Sequence, residues 1–141
     1  MNAPVETLLL TGSEVARSLP LAECREAIER AFVMLGQGRA GLPRSIGFDA
    51  DGGSFHAKAA LLETTRPKFV AKFNGNFPGN PTRNGFPTIQ GVLVLFDALD
   101  GRPLAVMDSA SITAVRTAAA TAVAARRLAR RGAASAAIIG C

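Results

Sequence analysis

Hydrophobic positions recur every three or four residues between Leu19 and Leu35, with charged residues between them, which predicts an amphipathic helix. We expect Gly36 or Gly38 to end this helix, because glycine tolerates the backbone conformation that follows a helical C-terminus. A shorter helix is predicted from Ser13 to Arg17, after a turn-forming segment.

A second long helix is predicted from Ile112 to Arg131, in a segment rich in alanine. Gly132 fits the position just past its end. Its small side chains allow close approach to other backbone, so we expect the helix to be buried for much of its length. Three polar residues are candidate N-terminal caps: Asp108, Ser109 and Ser111.

The remaining segments show alternating or short continuous apolar runs between turn-forming residues, a pattern typical of β-strands. The Asp100-Gly101 pair separates two apolar runs and predicts a hairpin turn. Together the elements predict an α+β fold, in which a helix packs on a mixed or mostly antiparallel sheet and a long helix and one further strand follow. The predicted strands are Glu6–Leu10, Ser45–Phe48, Ser54–Leu62, Lys68–Phe73, Thr88–Asp97, Pro103–Asp108 and Ala134–Ile139.

A segment rich in glycine, proline and asparagine, Asn74 to Gly85, separates two of these strands. It is longer than most connections in a compact domain. Two interpretations remain open: a loop that carries function, and a disordered surface tip.

Composition favours a globular protein, since 48% of the 141 residues are hydrophobic and 19% are charged. Apolar runs are too short to cross a membrane, and no basic region precedes the first leucines, so we expect neither a membrane partner nor a signal peptide. A cytoplasmic location is the resulting expectation. Cys24 and Cys141 lack metal-ligand or redox spacing, so no metal site is predicted.

The formal net charge of +5 raises the question of nucleic-acid binding. Four arginines lie near the end of the second long helix, where cations favourably oppose the helix dipole. Because aromatic residues that could stack on bases are absent nearby, a solvated helix end is favoured and no nucleic-acid partner is expected. The four are Arg126, Arg127, Arg130 and Arg131.

Lys72 and Arg116 are the strongest candidates for binding chemistry. Lys72 lies at a predicted strand end beside the long loop, where its charge can hold a substrate carboxylate, although an ordinary surface lysine fits equally well. Arg116 interrupts a surface of small residues near a helix N-terminus, a place that already favours anions, and its guanidinium offers a rigid two-pronged donor. The alternative for Arg116 is a structural bond to a neighbouring loop.

Three further polar residues are weaker candidates for a functional role: Thr88, Gln90 and His56. Thr88 and Gln90 share one face of their predicted strand, and on the pattern alone an ordinary polar sheet face is favoured. His56 is the only histidine and has no partner at metal-ligand spacing, so a structural role is favoured.

Three ordered motifs lie between Lys72 and Ala129: PTIQG, GRPLAVMDS and ITAVRTAAA. By these motifs the sequence resembles the ornithine cyclodeaminase/mu-crystallin family, most densely over residues 72–129 and more weakly over residues 5–141. Members of that family include cyclodeaminases that convert ornithine to proline and ammonia through transient oxidation by NAD, imino-acid reductases and dehydrogenases, and mu-crystallins.

The resemblance implies two domains. Residues 1–131 would form a substrate-binding and dimerisation domain, whose sheet joins that of a partner copy in a closed barrel. Residues 132–141 would be the first strand of a truncated Rossmann domain that binds NAD or NADP, with Gly140 as the first glycine of its phosphate loop. The implied partners are a second copy of the chain and a small amino or imino acid.

The resemblance also implies site residues. Arg44, Lys72 and Arg116 match positions that bind the substrate carboxylate, and Thr88 and Arg116 match positions near the nicotinamide of the cofactor. The family's proton-donating aspartate lies beyond residue 141, so no catalytic residue is assigned and the 141 residues alone are not expected to catalyse. A non-enzymatic binding protein of mu-crystallin type is the alternative.

One departure from the family pattern concerns the pocket wall. Many members carry Met-Pro where this chain has His56-Ala57-Lys58.

Overall fold

The computed structural model describes residues 6–139, which form six strands and four helices. The strands are β1 (Leu8–Leu10), β2 (Arg44–Ala50), β3 (Gly53–Leu62), β4 (Lys68–Asn76), β5 (Ile89–Asp97) and β6 (Pro103–Asp108). The helices are α1 (Gly12–Ser18), α2 (Leu21–Gly36), α3 (Asn80–Arg83) and α4 (Ala110–Leu128).

The six strands form one sheet in the order β1-β6-β5-β4-β3-β2. Strands β2 to β6 are antiparallel to their neighbours, as their hairpin connections require, and β1 pairs in parallel with β6. The predicted α+β fold with a mixed sheet is therefore confirmed.

The pairing register assigns each side chain to one of two faces. Lys58, Lys72 and Leu93 are paired in one row, so their side chains share a face, which we call the helical face. Helix α4 contacts this face through Thr113, and α2 packs on α4 in turn. We call the other side the open face.

Local sequence explains how the first two helices begin and end. In α1, Thr11 and Glu14 form a capping box, in which each side chain bonds the backbone N–H of the other residue. Helix α2 ends at Gly36, and Gly38 follows with a φ of +72°, a conformation that favours glycine. The prediction that Gly36 or Gly38 ends this helix is therefore confirmed.

The predicted β5–β6 hairpin is present, and Gly101 adopts a φ of +77° in its turn. Asp97 at the end of β5 anchors the turn from a buried position. Its carboxylate accepts hydrogen bonds from the Leu99 backbone N–H at 3.0 Å and from Arg66 Nε at 2.5 Å, and Lys68 Nζ lies 4.0 Å away. These contacts, with the Leu99 bond foremost, hold the pKa of Asp97 below its usual range.

Replacing Asp97 by asparagine is expected to destabilise the fold at neutral pH and to flatten its loss of stability in acid. Because the folded pKa of Asp97 is depressed, its contribution is complete above the unfolded carboxyl pKa of about 4 and disappears as pH falls through the lower folded value. Urea midpoints measured across that acid range test this. Asp51→Asn, which removes an exposed carboxylate from the β2–β3 turn, should leave the wild-type pH dependence intact; equal behaviour of both variants would refute the assignment.

Two predictions about the C-terminal part were wrong. Helix α4 is not buried for much of its length: Ala119 and Val123 are its buried residues, because only one side of the helix meets α2 and the sheet. Residues 134–139 do not form a strand, since none of the described strands pairs with them, and Ile138 and Ile139 are exposed. Gly140 lies outside the described residues.

The long loop is shorter than predicted. Strand β4 continues to Asn76, and the single turn α3 occupies Asn80–Arg83. The Phe77 backbone N–H donates to the Thr88 carbonyl at 2.8 Å, which closes the segment across its base. The Phe77 ring packs edge-on against Phe55. The segment from Asn74 to Gly85 is therefore a structured connection.

Candidate functional site

Lys72 lies in the central strand β4 and points to the helical face, where it is half-buried. Its Nζ donates a hydrogen bond to Thr113 Oγ1 of α4 at 3.0 Å. The Thr113 hydroxyl in turn donates to the Ser109 carbonyl at 2.7 Å, so its oxygen is oriented to accept from the lysine. The ammonium group is therefore held at the junction of sheet and helix.

Arg116 follows Thr113 by three residues, so it lies on the same side of α4, and its side chain is exposed. The pKa of Lys72 is lowered, first because burial disfavours its charge and then because the positive charges of Arg116 and Lys58 lie nearby. The three cations thus repel one another across a small region. An anion bound among them would relieve that repulsion.

A cavity of about 190 Å³ opens beside Lys72 on this face. Lys58 faces it from β3, directly opposite Lys72 in the register. No carboxylate is among its lining residues, so the cavity is basic. These residues are His56, Lys58, Lys72, Asn74, Asn76 and Ile89.

A second contact fixes the start of α4 against the sheet. The hydroxyl of Ser109, which is fully buried, donates to Asn74 Oδ1 at 2.9 Å, and the Ser109 backbone N–H donates to the Gly91 carbonyl at 3.0 Å. Among the predicted caps, Asp108 is the residue whose carboxylate receives a helix N–H, that of Ala110 at 2.9 Å. The Ser109 hydroxyl instead bonds to β4, through Asn74.

Gly91→Ala is expected to destabilise the fold by about 3 kcal/mol. A Cβ at Gly91 would lie 2.1 Å from the Phe73 carbonyl oxygen and 2.4 Å from Asn74 Oδ1, so β5 and β4 would have to separate and the Asn74 side chain that binds Ser109 would have to move. Chemical denaturation measures the loss. Gly36→Ala is the matched control, because a Cβ there meets nothing within 4 Å and should leave stability unchanged or improved. Equal stability of both variants would contradict the close approach at Gly91.

The structure brings Lys72 and Arg116 together and leaves the other candidates apart. Arg44 begins the edge strand β2, opposite Ala59, so the register points it to the open face, and it lines a different cavity. Thr88 is half-buried immediately before β5, outside the lining of the Lys72 cavity. The roles of Arg44 and Thr88 stay predictions.

His56 lies in β3, and the sequence favours a structural role for it over a metal-ligand or catalytic one. It is exposed, its Nε2 lies 3.0 Å from Ser54 Oγ, and it belongs to the cavity wall beside Lys58. An ideal Cβ on Gly47, its partner in β2, would lie 3.4 Å from its Nδ1. The absence of a side chain at Gly47 therefore leaves the ring room.

Three site residues were missed from the sequence: Lys58, Thr113 and Ser109. For Lys58 a signal was present, because a hairpin closed between Leu62 and Lys68 sets the register that pairs it with Lys72. For Thr113 and Ser109 no comparable signal exists, since their contacts depend on how α4 lies across the sheet.

The fold and this site define an α+β domain with a basic cavity on the helical face of its sheet, beside the lysine that is bonded to α4. The chain belongs to the ornithine cyclodeaminase/mu-crystallin family, whose model matches residues 5–141. The resemblance inferred from the sequence is thereby confirmed.

The chain spans about two fifths of the length of the relatives that it matches over most of its residues. Alanine dehydrogenase of Archaeoglobus fulgidus is 36% identical over 138 residues, which are 97% of this chain and 41% of that protein. An archaeal alanine dehydrogenase dimer with bound NAD superposes with a TM-score of 0.83 at 35% identity, covering 89% of this chain and 38% of that one. The Thermococcus litoralis Δ1-pyrroline-2-carboxylate reductase, solved with NADH and L-proline, gives 0.79 at 33% identity, with 89% and 39% covered.

Among residues 6–139, no helix is both long and apolar enough to cross a membrane.

Proposed function

We propose that this chain is the substrate-binding and dimerisation part of a nicotinamide-dependent enzyme that acts on a small amino or imino acid. The observation that carries the proposal is the position of the Lys72 ammonium group. This group donates a hydrogen bond to Thr113, faces a basic cavity and lies near Arg116. Such a group binds the carboxylate that every amino or imino acid carries. Alanine dehydrogenases match most of the chain, and one of them was solved with bound NAD.

Lys72 and Arg116 would perform different parts of the binding. Lys72 offers a compact charge at a fixed position, and Arg116 offers paired N–H donors on a longer, exposed side chain. Holding the carboxylate in this way orients the neighbouring carbon, the atom that gains or loses a hydride. The chain's own contribution to the reaction is therefore positioning.

Bound NAD or NADP would accept or donate that hydride. For the nicotinamide end of the cofactor, Arg116 and Thr88 match the family positions. A glycine pattern suited to a pyrophosphate occurs at Gly36, Gly38 and Gly41, but it follows helix α2 and precedes strand β2. A phosphate-binding loop needs the opposite order, strand then helix, so this segment does not fit. We propose that a Rossmann domain supplies the phosphate contacts in the complete protein.

The open face supports a homodimer as the functional unit. Its aromatic and aliphatic side chains are exposed in the single chain, including Phe48 at 62% and Phe73 at 50% of their surface. They surround an apolar cavity of about 460 Å³. Contiguous apolar surface of this kind marks an interface, and the archaeal relative is a dimer. We propose a second copy of this chain as the partner.

The experiment that tests the function uses the complete product of the gene. Nicotinamide binding is measured by fluorescence with NADH and NADPH, and turnover is measured by absorbance of the reduced cofactor with pyrroline-2-carboxylate or with pyruvate plus ammonia. A cyclodeaminase would instead release ammonia from ornithine without net NADH formation. Absence of both cofactor binding and every turnover would overturn the proposal and favour a non-enzymatic binding protein.

A further inference from the structure

The surroundings of Lys72 carry more positive charge than a single carboxylate needs. Lys72 and Arg116 suffice for one carboxylate, and Lys58 stands across from Lys72 as a third cation. Within residues 6–139, Lys58 and Lys72 form no salt bridge with a carboxylate, whereas Lys68, on the same face of β4, lies against Asp97.

Asp49, the acidic residue of β2 on the helical face, does not neutralise Lys58. The register places Asp49 on the helical face, but opposite Ser54 and four residues beyond Ser45, the partner of Lys58. Asp49 does not line the cavity. The charge opposite Lys72 is therefore available to a ligand.

We propose that the ligand of this site is a dicarboxylic amino or imino acid, with its first carboxylate at Lys72 and its second at Lys58. This inference rests on the proposed function and names its substrate class. Opposed residues of neighbouring strands have Cβ atoms roughly 5 Å apart, and long lysine side chains reach outward from there to the two ends of a short ligand. The cavity of about 190 Å³ limits the ligand to a small molecule.

The same charges disfavour a diamino acid. A terminal ammonium group in this cavity would face the ammonium group of Lys58 without a carboxylate to receive it. Like charges at such distances repel, and the repulsion is stronger in a partly buried site than in water. Ornithine is therefore the less suitable substrate among those known in the family.

The test compares three four-carbon ligands that differ only at one end. Succinate carries a second carboxylate, butyrate a methyl group and 4-aminobutyrate an ammonium group. Binding to the 141-residue chain and to the complete gene product is measured by calorimetry or NMR titration at low ionic strength. We expect succinate to bind roughly tenfold more tightly than butyrate, and 4-aminobutyrate no more tightly than butyrate.

Variants at Lys58 locate the second carboxylate. Lys58→Met should remove the advantage of succinate and leave butyrate within about twofold of wild type, while Lys58→Arg should retain most of that advantage. Arg131→Gln, which removes one exposed positive charge outside the cavity, is the control and should leave all three affinities unchanged.

Each other outcome has a defined meaning. Butyrate and succinate binding equally, with both lost in Lys72→Met, would overturn the dicarboxylate inference and leave the proposed function standing. Failure of every carboxylate to bind either protein would overturn both. Inorganic phosphate binding as tightly as succinate, with the same loss in Lys58→Met, would overturn the inference in favour of a general anion site.

Discussion

Lys72→Met is expected to weaken binding of a small carboxylate ligand roughly a hundredfold, while the unliganded fold stays as stable as wild type or becomes more stable. The lysine is half-buried, its hydrogen-bond partner is the neutral hydroxyl of Thr113, and Arg116 and Lys58 repel its charge. The charge is therefore unfavourable to the empty protein and becomes favourable when an anion binds. Methionine keeps much of the apolar stem and removes the charge.

The pH dependence of stability distinguishes a ligand-binding role of Lys72 from a structural role. Its folded pKa is lowered from the usual 10.5, so the folded chain binds this proton less well than the unfolded chain. The penalty is complete below the folded pKa and disappears as pH rises toward the unfolded value. Any stability advantage of Lys72→Met over wild type should therefore shrink as pH rises through that alkaline range.

Lys68→Met is the matched control for this experiment. Lys68 lies on the same strand and the same face, but its ammonium group lies 4.0 Å from the buried carboxylate of Asp97. This variant should lose stability and keep its affinity for the carboxylate. Calorimetric titration and urea unfolding of both variants measure the two properties, and a loss of stability without a loss of binding in Lys72→Met would contradict the proposed role.

The fold was largely predictable because its elements carry strong local signals. The alternation of apolar residues located β3 and β6 to within a residue, and Asp100-Gly101 identified the hairpin. Predictions failed where distant parts of the structure decide the outcome. Residues 134–139 have the composition of a buried strand, but a strand forms only against a partner, and no described strand pairs with them.

The part of the site that could be predicted consists of residues whose side chains contrast with those of their sequence neighbours. Arg116 stood out among small residues, and Lys72 stood out at the predicted end of its strand. The distances that make them a site come from packing: Thr113 reaches Lys72 because Ser109, just before α4, is bonded to Asn74 of β4 and to the Gly91 carbonyl of β5. Lys58 could be found only through the hairpin register that pairs it with Lys72, since an alternating strand places lysines on polar faces routinely.

Phe73→Glu is expected to raise the dissociation constant of the homodimer at least a hundredfold. Phe73 lies in β4 at the centre of the open face and lines its apolar cavity, which has no lysine or arginine among its lining residues, so a partner sheet would have to desolvate the new carboxylate. The side chain is half exposed in the single chain, so the monomer itself should fold.

Analytical ultracentrifugation over a concentration series measures that constant directly, and far-ultraviolet circular dichroism checks that the variant is folded. Leu99→Glu supplies the control, because Leu99 is 69% exposed in the β5–β6 turn, away from the open face. It introduces the same charge and should leave dimerisation unchanged. A wild-type chain that sediments as a monomer at the highest accessible concentration, or equal weakening by both substitutions, would show that the open face does not bind a second copy.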